Sequence, residues 1–193
     1  MTELDALCVQ LTCGDDARAE QAALRLPEFG FAALPALQEL LKSPDADVRW
    51  WGIRALAGFD DAADLTADLL LALEDESDEV RQAAAMAFCH HPDRQALPAL
   101  IRALSDEDLM TAKLASNALI LLGASATPAL MGVLSSGTHT ARLEAVRALA
   151  EIKDPGAIPG LMKALETDSA LMQYWAGLGL DKLGVGMLYL KPE

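Results

Sequence analysis

The sequence repeats itself about every 31 residues, and a period of that length restricts a chain to a stack of small helical units, each buried against its neighbours. Asp45-Ala-Asp-Val-Arg49 returns as Asp78-Glu-Val-Arg81 and, blurred, as Thr138-His-Thr-Ala-Arg142. Each copy opens a stretch that runs on through small residues to a large apolar one. The small residues are Ala22, Gly52, Ala84, Ser116, Ala145 and Ala176, separated by steps of 30, 32, 32, 29 and 31. Four places further on stand Leu26, Leu56, Phe88, Ile120, Leu149 and Leu180. A small residue and a large one at that spacing share one helix face, so a neighbouring helix can approach at the first and pack on the second.

A preceding helix in each unit is just as regular. Pro35-Ala-Leu, Pro98-Ala-Leu, Pro128-Ala-Leu and Pro159-Gly-Leu begin runs that close at Leu41, Leu104, Leu134 and Leu165. Proline in a first turn gives up a donor that has no helical partner, so its recurrence marks helix starts. The register predicts units over 1–29, 30–59, 60–91, 92–123, 124–153 and 154–184, with 185–193 as a C-terminal cap or tail. All belong to one domain, 1–193. Apolar content of 52% with only 5% aromatic suits an Ala/Leu helical stack, and no run alternates convincingly enough to make a strand.

Pro-x-Leu in the first helix, with Asp-x-Val-Arg and then Ala and Leu in the second, resembles the HEAT-type repeats, specifically the short bacterial variety named after the phycobilisome lyases. The resemblance runs from about Leu4 to Leu183. It implies an all-α, right-handed α-α superhelix, a HEAT-like solenoid of about six helix pairs. The first and last units depart from the pattern, as expected of repeats with one side facing water: Arg18-Ala19 and Met172-Gln173 stand where Val48-Arg49 stands in the second.

The resemblance also implies a concave side lined by the second helices. Positions two before and two after each small residue then face it: Trp50 and Arg54, Gln82 and Met86, Leu114 and Ala118, Leu143 and Arg147, Tyr174 and Leu178, with Cys89, His90 and Leu121 a turn later. Such an apolar strip rimmed by charge fits a binding groove; a tighter stack would bury part of it instead. In resembling repeats an arginine ladder ties unit to unit, which assigns Arg49, Arg81, Lys113 and Arg142 a structural role.

A formal net charge of −14 excludes a phosphate-backbone grip, so no nucleic acid is expected. Asp60, Asp61, Asp64 and Asp68 begin an acidic run that continues to Glu79 without a Lys or Arg. It is either a solvated face with acids at helix starts or a docking patch for another protein with a basic surface. The first residues lack a signal-peptide pattern, and Cys8, Cys13 and Cys89 are odd in number, which points to reduced thiols and a cytoplasmic setting. No apolar stretch is expected to reach the length of a membrane span, and no membrane partner is expected.

No catalytic residue, metal or cofactor is expected. Cys89, His90 and His91 are adjacent, and neighbours on a helix point about 100° apart, so they do not converge on one ion. No phosphate loop, nucleophile elbow or dinucleotide fingerprint is present. The expected function is a non-catalytic scaffold or adaptor binding another protein along the concave face. The alternative is a bilin lyase-like, chromophore-handling subunit holding an open-chain tetrapyrrole, with Arg54 or Arg147 pairing its propionates and Trp50 or Tyr174 against its rings.

Overall fold

The computed structural model describes residues 2–59, 65–167 and 169–185, and these contain helices and no strand. The helices are α1 (Glu3–Leu11), α2 (Asp16–Arg25), α3 (Leu34–Leu40), α4 (Ala46–Leu56), α5 (Thr66–Ala72), α6 (Asp78–His90), α7 (Leu97–Ala103), α8 (Leu109–Leu122), α9 (Thr127–Ser136), α10 (His139–Ile152), α11 (Ile158–Leu165) and α12 (Ala170–Lys182). Taken two at a time, they form the helix pairs of HEAT-like repeats, and each pair lies within one of the six units expected from the sequence. The two helices of a pair start by different chemistry. Every second helix has a side-chain N-cap: Asp15, Asp45, Ser77, Asp108, Thr138 and Ser169 each accept from an amide two or three residues on. Such a cap contributes about 1 kcal/mol. The first helices α3, α7, α9 and α11 have none; proline sits in their first turn, and the chain enters already helical.

The caps also correct the register. Asp15 and Ala22, Asp45 and Gly52, Ser77 and Ala84, Thr138 and Ala145, and Ser169 and Ala176 all stand seven residues apart. In α8 the residue seven after the cap Asp108 is Ala115, not Ser116. Burial agrees: Ala115 and Leu119, four residues on, are fully buried, whereas Ile120 is partly exposed. A slip of one residue turns every side chain by about 100°, so unit four presents a different face from the one expected.

The fold divides into two compact units, Met1–Asp93 and Arg94–Glu193. Unit 1 holds α1 to α6 around Leu11, Leu26, Leu37, Ile53, Leu56 and Phe88, each at most 1% exposed. Within it α2 packs on α4 and α4 on α6, and Gln38 of α3 donates to Asp68 of α5 at 2.8 Å. Unit 2 holds α7 to α12, with α10 packed between α8 and α12. The approach of α12 to α10 is set by Gly179, where a Cβ would lie 2.8 Å from Ala150 Cα.

One expectation about membranes is corrected. The stretch Leu109–Ser136 is apolar and long enough, by length and composition, to cross a membrane. In the structure Gly123 (φ 64°) interrupts it; α8 on one side is largely buried in unit 2, while α9 on the other buries Thr127 and Leu130. The expected tail at 185–193 lies, beyond Val185, outside the described residues.

Candidate functional site

With the register corrected, each unit has its own open face. In unit 1 it carries Glu20 and Leu24 of α2, Trp50 and Arg54 of α4, and Gln82, Met86 and His90 of α6. Leu24 is 60% and Met86 45% exposed, and His90 is exposed, while Trp50, Arg54 and Gln82 are half-buried. Arg54 is ion-paired to Glu20, which fastens α4 to α2 across this face. Trp50 and Trp51 are both half-buried and meet edge to face, ring centroids 4.7 Å apart at 88°. One indole supports the other, which settles how two consecutive tryptophans are housed: neither enters the core.

In unit 2 the open face differs from expectation. Leu114 and Ala118 do not belong to it; they are 8% and 1% exposed, because the true register turns them inward. Lys113 and Asn117 stand there in their place, with Leu121 a turn further on. Lys113 is therefore no rung of the arginine ladder, whose position in α8 is taken by the buried Ala112. On α10 the face carries Leu143 and Arg147, and on α12 Tyr174 (62% exposed) and Leu178. Tyr174 packs edge to face on Trp175, centroids 5.5 Å apart.

Arg147 is the polar centre of that face. It donates to Glu144 Oε2 (2.8 Å), Asn117 Oδ1 (2.9 Å) and the Lys113 carbonyl (3.1 Å). A guanidinium has five N–H donors, so part of its capacity is left for an incoming acceptor. Because Arg147 touches the Lys113 backbone, the exposed Lys113 side chain sits on the same patch, and its ammonium has no partner among the described residues. Arg147 and Lys113 are the cations of this open face, and Leu143, Leu121 and Tyr174 are its apolar and aromatic members. Sequence reasoning missed Lys113; the seven-residue spacing from Asp108 was the signal that would have found it.

The remaining ladder residues lie away from the open faces. Arg49, 7% exposed, donates from Nε and Nη2 to the two carboxylate oxygens of Asp75, both at 2.8 Å, and from Nη1 to the Ser43 carbonyl at 2.9 Å. Burial raises the Asp75 carboxyl, but the Arg49 hydrogen bonds, the Ser77 N–H and the charges of Arg49 and Arg81 outweigh it and hold the group below the usual carboxylate range. Arg81 donates to the Asp75 and Glu76 carbonyls at 2.9 and 3.2 Å. Arg142 is half-buried in a cleft of about 180 Å³ with Lys163 and Met172.

Of the acidic run, Asp60, Asp61 and Asp64 lie outside the described residues, and Asp68 accepts from Gln38. Among the histidines, His91 Nε2 bonds the Ala57 carbonyl at 2.8 Å just past the end of α6. Burial pushes the Cys89 thiol up; burial and then the Asp5 charge do the same at Cys8. Both sulfurs are thus held protonated and weakly nucleophilic.

Comparisons with known proteins agree with the fold and change the functional expectation. Residues 66–140 match HEAT repeats, and residues 141–167 match the PBS lyase HEAT-like repeat. The chain is 41% identical over 76 residues to the phycocyanobilin lyase subunit beta of Pseudanabaena tenuis, covering 39% of this chain and 27% of that protein. It is 40% identical over 76 residues to the bilin biosynthesis protein RpcF of a Synechococcus strain, covering 39% and 36%. The chain thus matches only a minor part of the curated relatives' length. In fold it resembles the complex of CpcE and CpcF of phycocyanin lyase from Nostoc, with a TM-score of 0.56 and 22% identity, over 95% of this chain and 78% of that one. The expectation of a non-catalytic scaffold or adaptor is overturned by these relatives, which are named for bilin lyase and bilin biosynthesis. Residues 66–167 thus carry HEAT-type repeats, with the PBS lyase HEAT-like kind at 141–167.

Proposed function

We propose that this protein is a bilin lyase-type subunit that holds an open-chain tetrapyrrole on the open face of unit 2. The observation that carries the reading is the similarity, at about two residues in five, to proteins named for bilin attachment and biosynthesis. The local chemistry supports it. A bilin is a flat conjugated chain with two propionate carboxylates. Arg147 and Lys113 supply the counter-charges, and Leu143, Leu121 and Tyr174 supply apolar and aromatic surface beside them. A charge-assisted pair is stronger than a neutral hydrogen bond, and an aromatic ring against the pyrroles adds stacking. In this reading the chain's own residues bind and orient the chromophore; its protonated Cys8 and Cys89 do not attack it.

The same reading includes a partner protein. The lyase structure of similar fold is a complex of CpcE with CpcF, and a net charge of −14 favours a partner with a basic surface.

The test is spectroscopic. Purified protein titrated with phycocyanobilin is expected to shift and sharpen the long-wavelength absorption band, as the chain is held extended. Lys113→Ala with Arg147→Gln is expected to weaken that titration about tenfold, the loss of roughly one charge-assisted hydrogen bond. An unchanged spectrum at every ratio of bilin to protein would remove the proposal.

A further inference from the structure

We infer that unit 1 carries a second binding site, an aromatic slot for a lysine or arginine side chain of a partner protein, formed by Trp50 and Trp51 with Asp16 and Asp47. The inference rests on the reading that the partner is basic and is independent of bilin binding.

The slot is a cleft of about 610 Å³ between the α1–α2 turn and the start of α4. Its wall residues include Leu11, Trp50 and Trp51 on the apolar side and Asp16, Glu20, Asp45 and Asp47 on the other, with no Lys or Arg among them. The carboxylates are not equivalent. Glu20 is neutralised by Arg54, and Asp45 is turned to its own helix, accepting from the Asp47 amide at 3.0 Å. Asp16 and Asp47 are exposed and have no cationic partner among the described residues. They sit in the first turns of α2 and α4, which fixes their backbone positions at the rim.

The tryptophans make this more than a cluster of acids. The two rings meet at 88°, and both are half-buried and line the cleft, so indole surface is presented to its contents. The group that an indole face and free carboxylates bind together is an organic cation: the ring quadrupole attracts the charge, and the carboxylates pair with its N–H donors. A bare metal ion would leave most of this volume and the indoles unused, and an anion would be repelled. A Lys or Arg side chain fits both halves, its methylenes along Leu11 and the indoles and its head at Asp16 and Asp47. The site lies in a different unit from Arg147 and Lys113, so a cationic partner segment and an anionic chromophore would have separate sites of opposite sign.

The test uses a fluorescently labelled octapeptide of alternating Lys and Arg, followed by anisotropy, with indole emission as a second readout. Trp50→Ala is expected to weaken binding about tenfold. Asp16→Asn with Asp47→Asn is expected to weaken it about tenfold as well, leaving the thermal melt close to the parent. The control is Glu107→Gln with Asp181→Asn, which removes the same charge from exposed positions of unit 2; it is expected to change binding less than twofold. Equal losses in the control and the slot variant would mean attraction to bulk charge alone and would overturn the slot. So would binding that survives both slot variants. Because the same Asp16/Asp47 variant is expected to keep the phycocyanobilin spectrum, failure of the slot and failure of the bilin reading are distinguishable.

Discussion

Arg49 in unit 1 and Arg142 in unit 2 stand at the same place in the repeat, three residues before the small core residue, and do different work. Arg49 is buried and bound at both carboxylate oxygens by Asp75. The acceptor stands two residues past the leucine that closes the next unit's first helix, here Leu73. At the matching places in unit 2, after Leu134 and Leu165, the chain has Ser136 and Thr167. Arg142 consequently has no carboxylate bound to it among the described residues, and α8 has replaced the arginine with Ala112. Unit 2 is fastened elsewhere. Arg147 bridges α10 to α8, Lys182 pairs with Glu151 at 2.7 Å between α12 and α10, and Ser116 donates to the Glu144 carbonyl at 3.0 Å. Unit 1 also has a bridge across its open face, Arg54 to Glu20, so what sets the units apart is the buried ion pair at the turns, present at Arg49 and absent at Arg142 among the described residues.

The largest effect expected from this difference is at Arg49. Arg49→Ala would leave Asp75, whose side chain is 14% exposed, charged and without its counter-ion, a loss of about 3 kcal/mol by urea unfolding. The pair also has a pH signature. Asp75 is held below its unfolded value, so its contribution is present above the unfolded carboxylate value, roughly pH 4, and is lost as pH falls through the lower folded value. The stability gap between the parent and Asp75→Asn is therefore expected to narrow on acidification below pH 4 and to stay flat between pH 6 and 8. A gap that widens in acid would break the assignment.

Next in size is the close approach in unit 2. Gly179→Ala places a methyl group 2.8 Å from Ala150 Cα and 2.9 Å from its Cβ, where backbone rather than a flexible side chain must yield. Overpacking of that kind is expected to cost about 2 kcal/mol. Gly177→Ala, two residues earlier with nothing within 4 Å, is the matched control and is expected to gain a few tenths of a kcal/mol from helix propensity. A similar gain at both would mean that helix propensity, not the approach to α10, sets the result.

These features were unequally legible in the sequence. Period and prolines are local signals, and they pointed to the paired helices. Unit four slipped because α8 buries Thr111, Ala112, Leu114, Ala115, Ser116, Ala118 and Leu119, a helix apolar nearly all round. Hydrophobic spacing cannot choose a face on such a helix; the cap at Asp108 can, because a cap fixes where the first turn begins. The partners of the arginines were less accessible still. Arg54–Glu20, Arg49–Asp75 and Arg147–Asn117 are 34, 26 and 30 residues apart, so each depends on how one repeat lies on the next.

A medium effect is expected at Arg147, where the two proposals of stability and binding meet. Arg147→Gln keeps some hydrogen bonding to Asn117 but leaves Glu144, 15% exposed, without its cation. A loss of about 1 kcal/mol is expected, together with the weaker bilin titration. Restoring stability with Glu144→Gln in the same chain would not restore bilin binding if the guanidinium serves the ligand. Recovery of both would reassign Arg147 to fastening alone.

The smallest effect sharpens the comparison most. Arg142→Ala removes a guanidinium from the same repeat position as Arg49, so a ladder inferred from position would predict a similar loss. Position alone does not supply the energy: the stabilisation at Arg49 comes from a bidentate, desolvated carboxylate, and at Arg142 the acceptor places hold Ser136 and Thr167. A half-buried cation lining a cleft, with no carboxylate bound to it among the described residues, loses little when truncated, so less than about 0.5 kcal/mol is expected, the range of an ordinary surface substitution. Thr167→Asp should then install the missing acceptor. If the rung re-forms, Arg142→Ala becomes more costly in the Thr167→Asp background than in the parent by about 1 kcal/mol, a coupling read directly from the double-mutant cycle. A coupling of zero would show that the cleft at α11 holds the two groups too far apart, and that unit 2 differs from unit 1 in backbone spacing as well as in side chains.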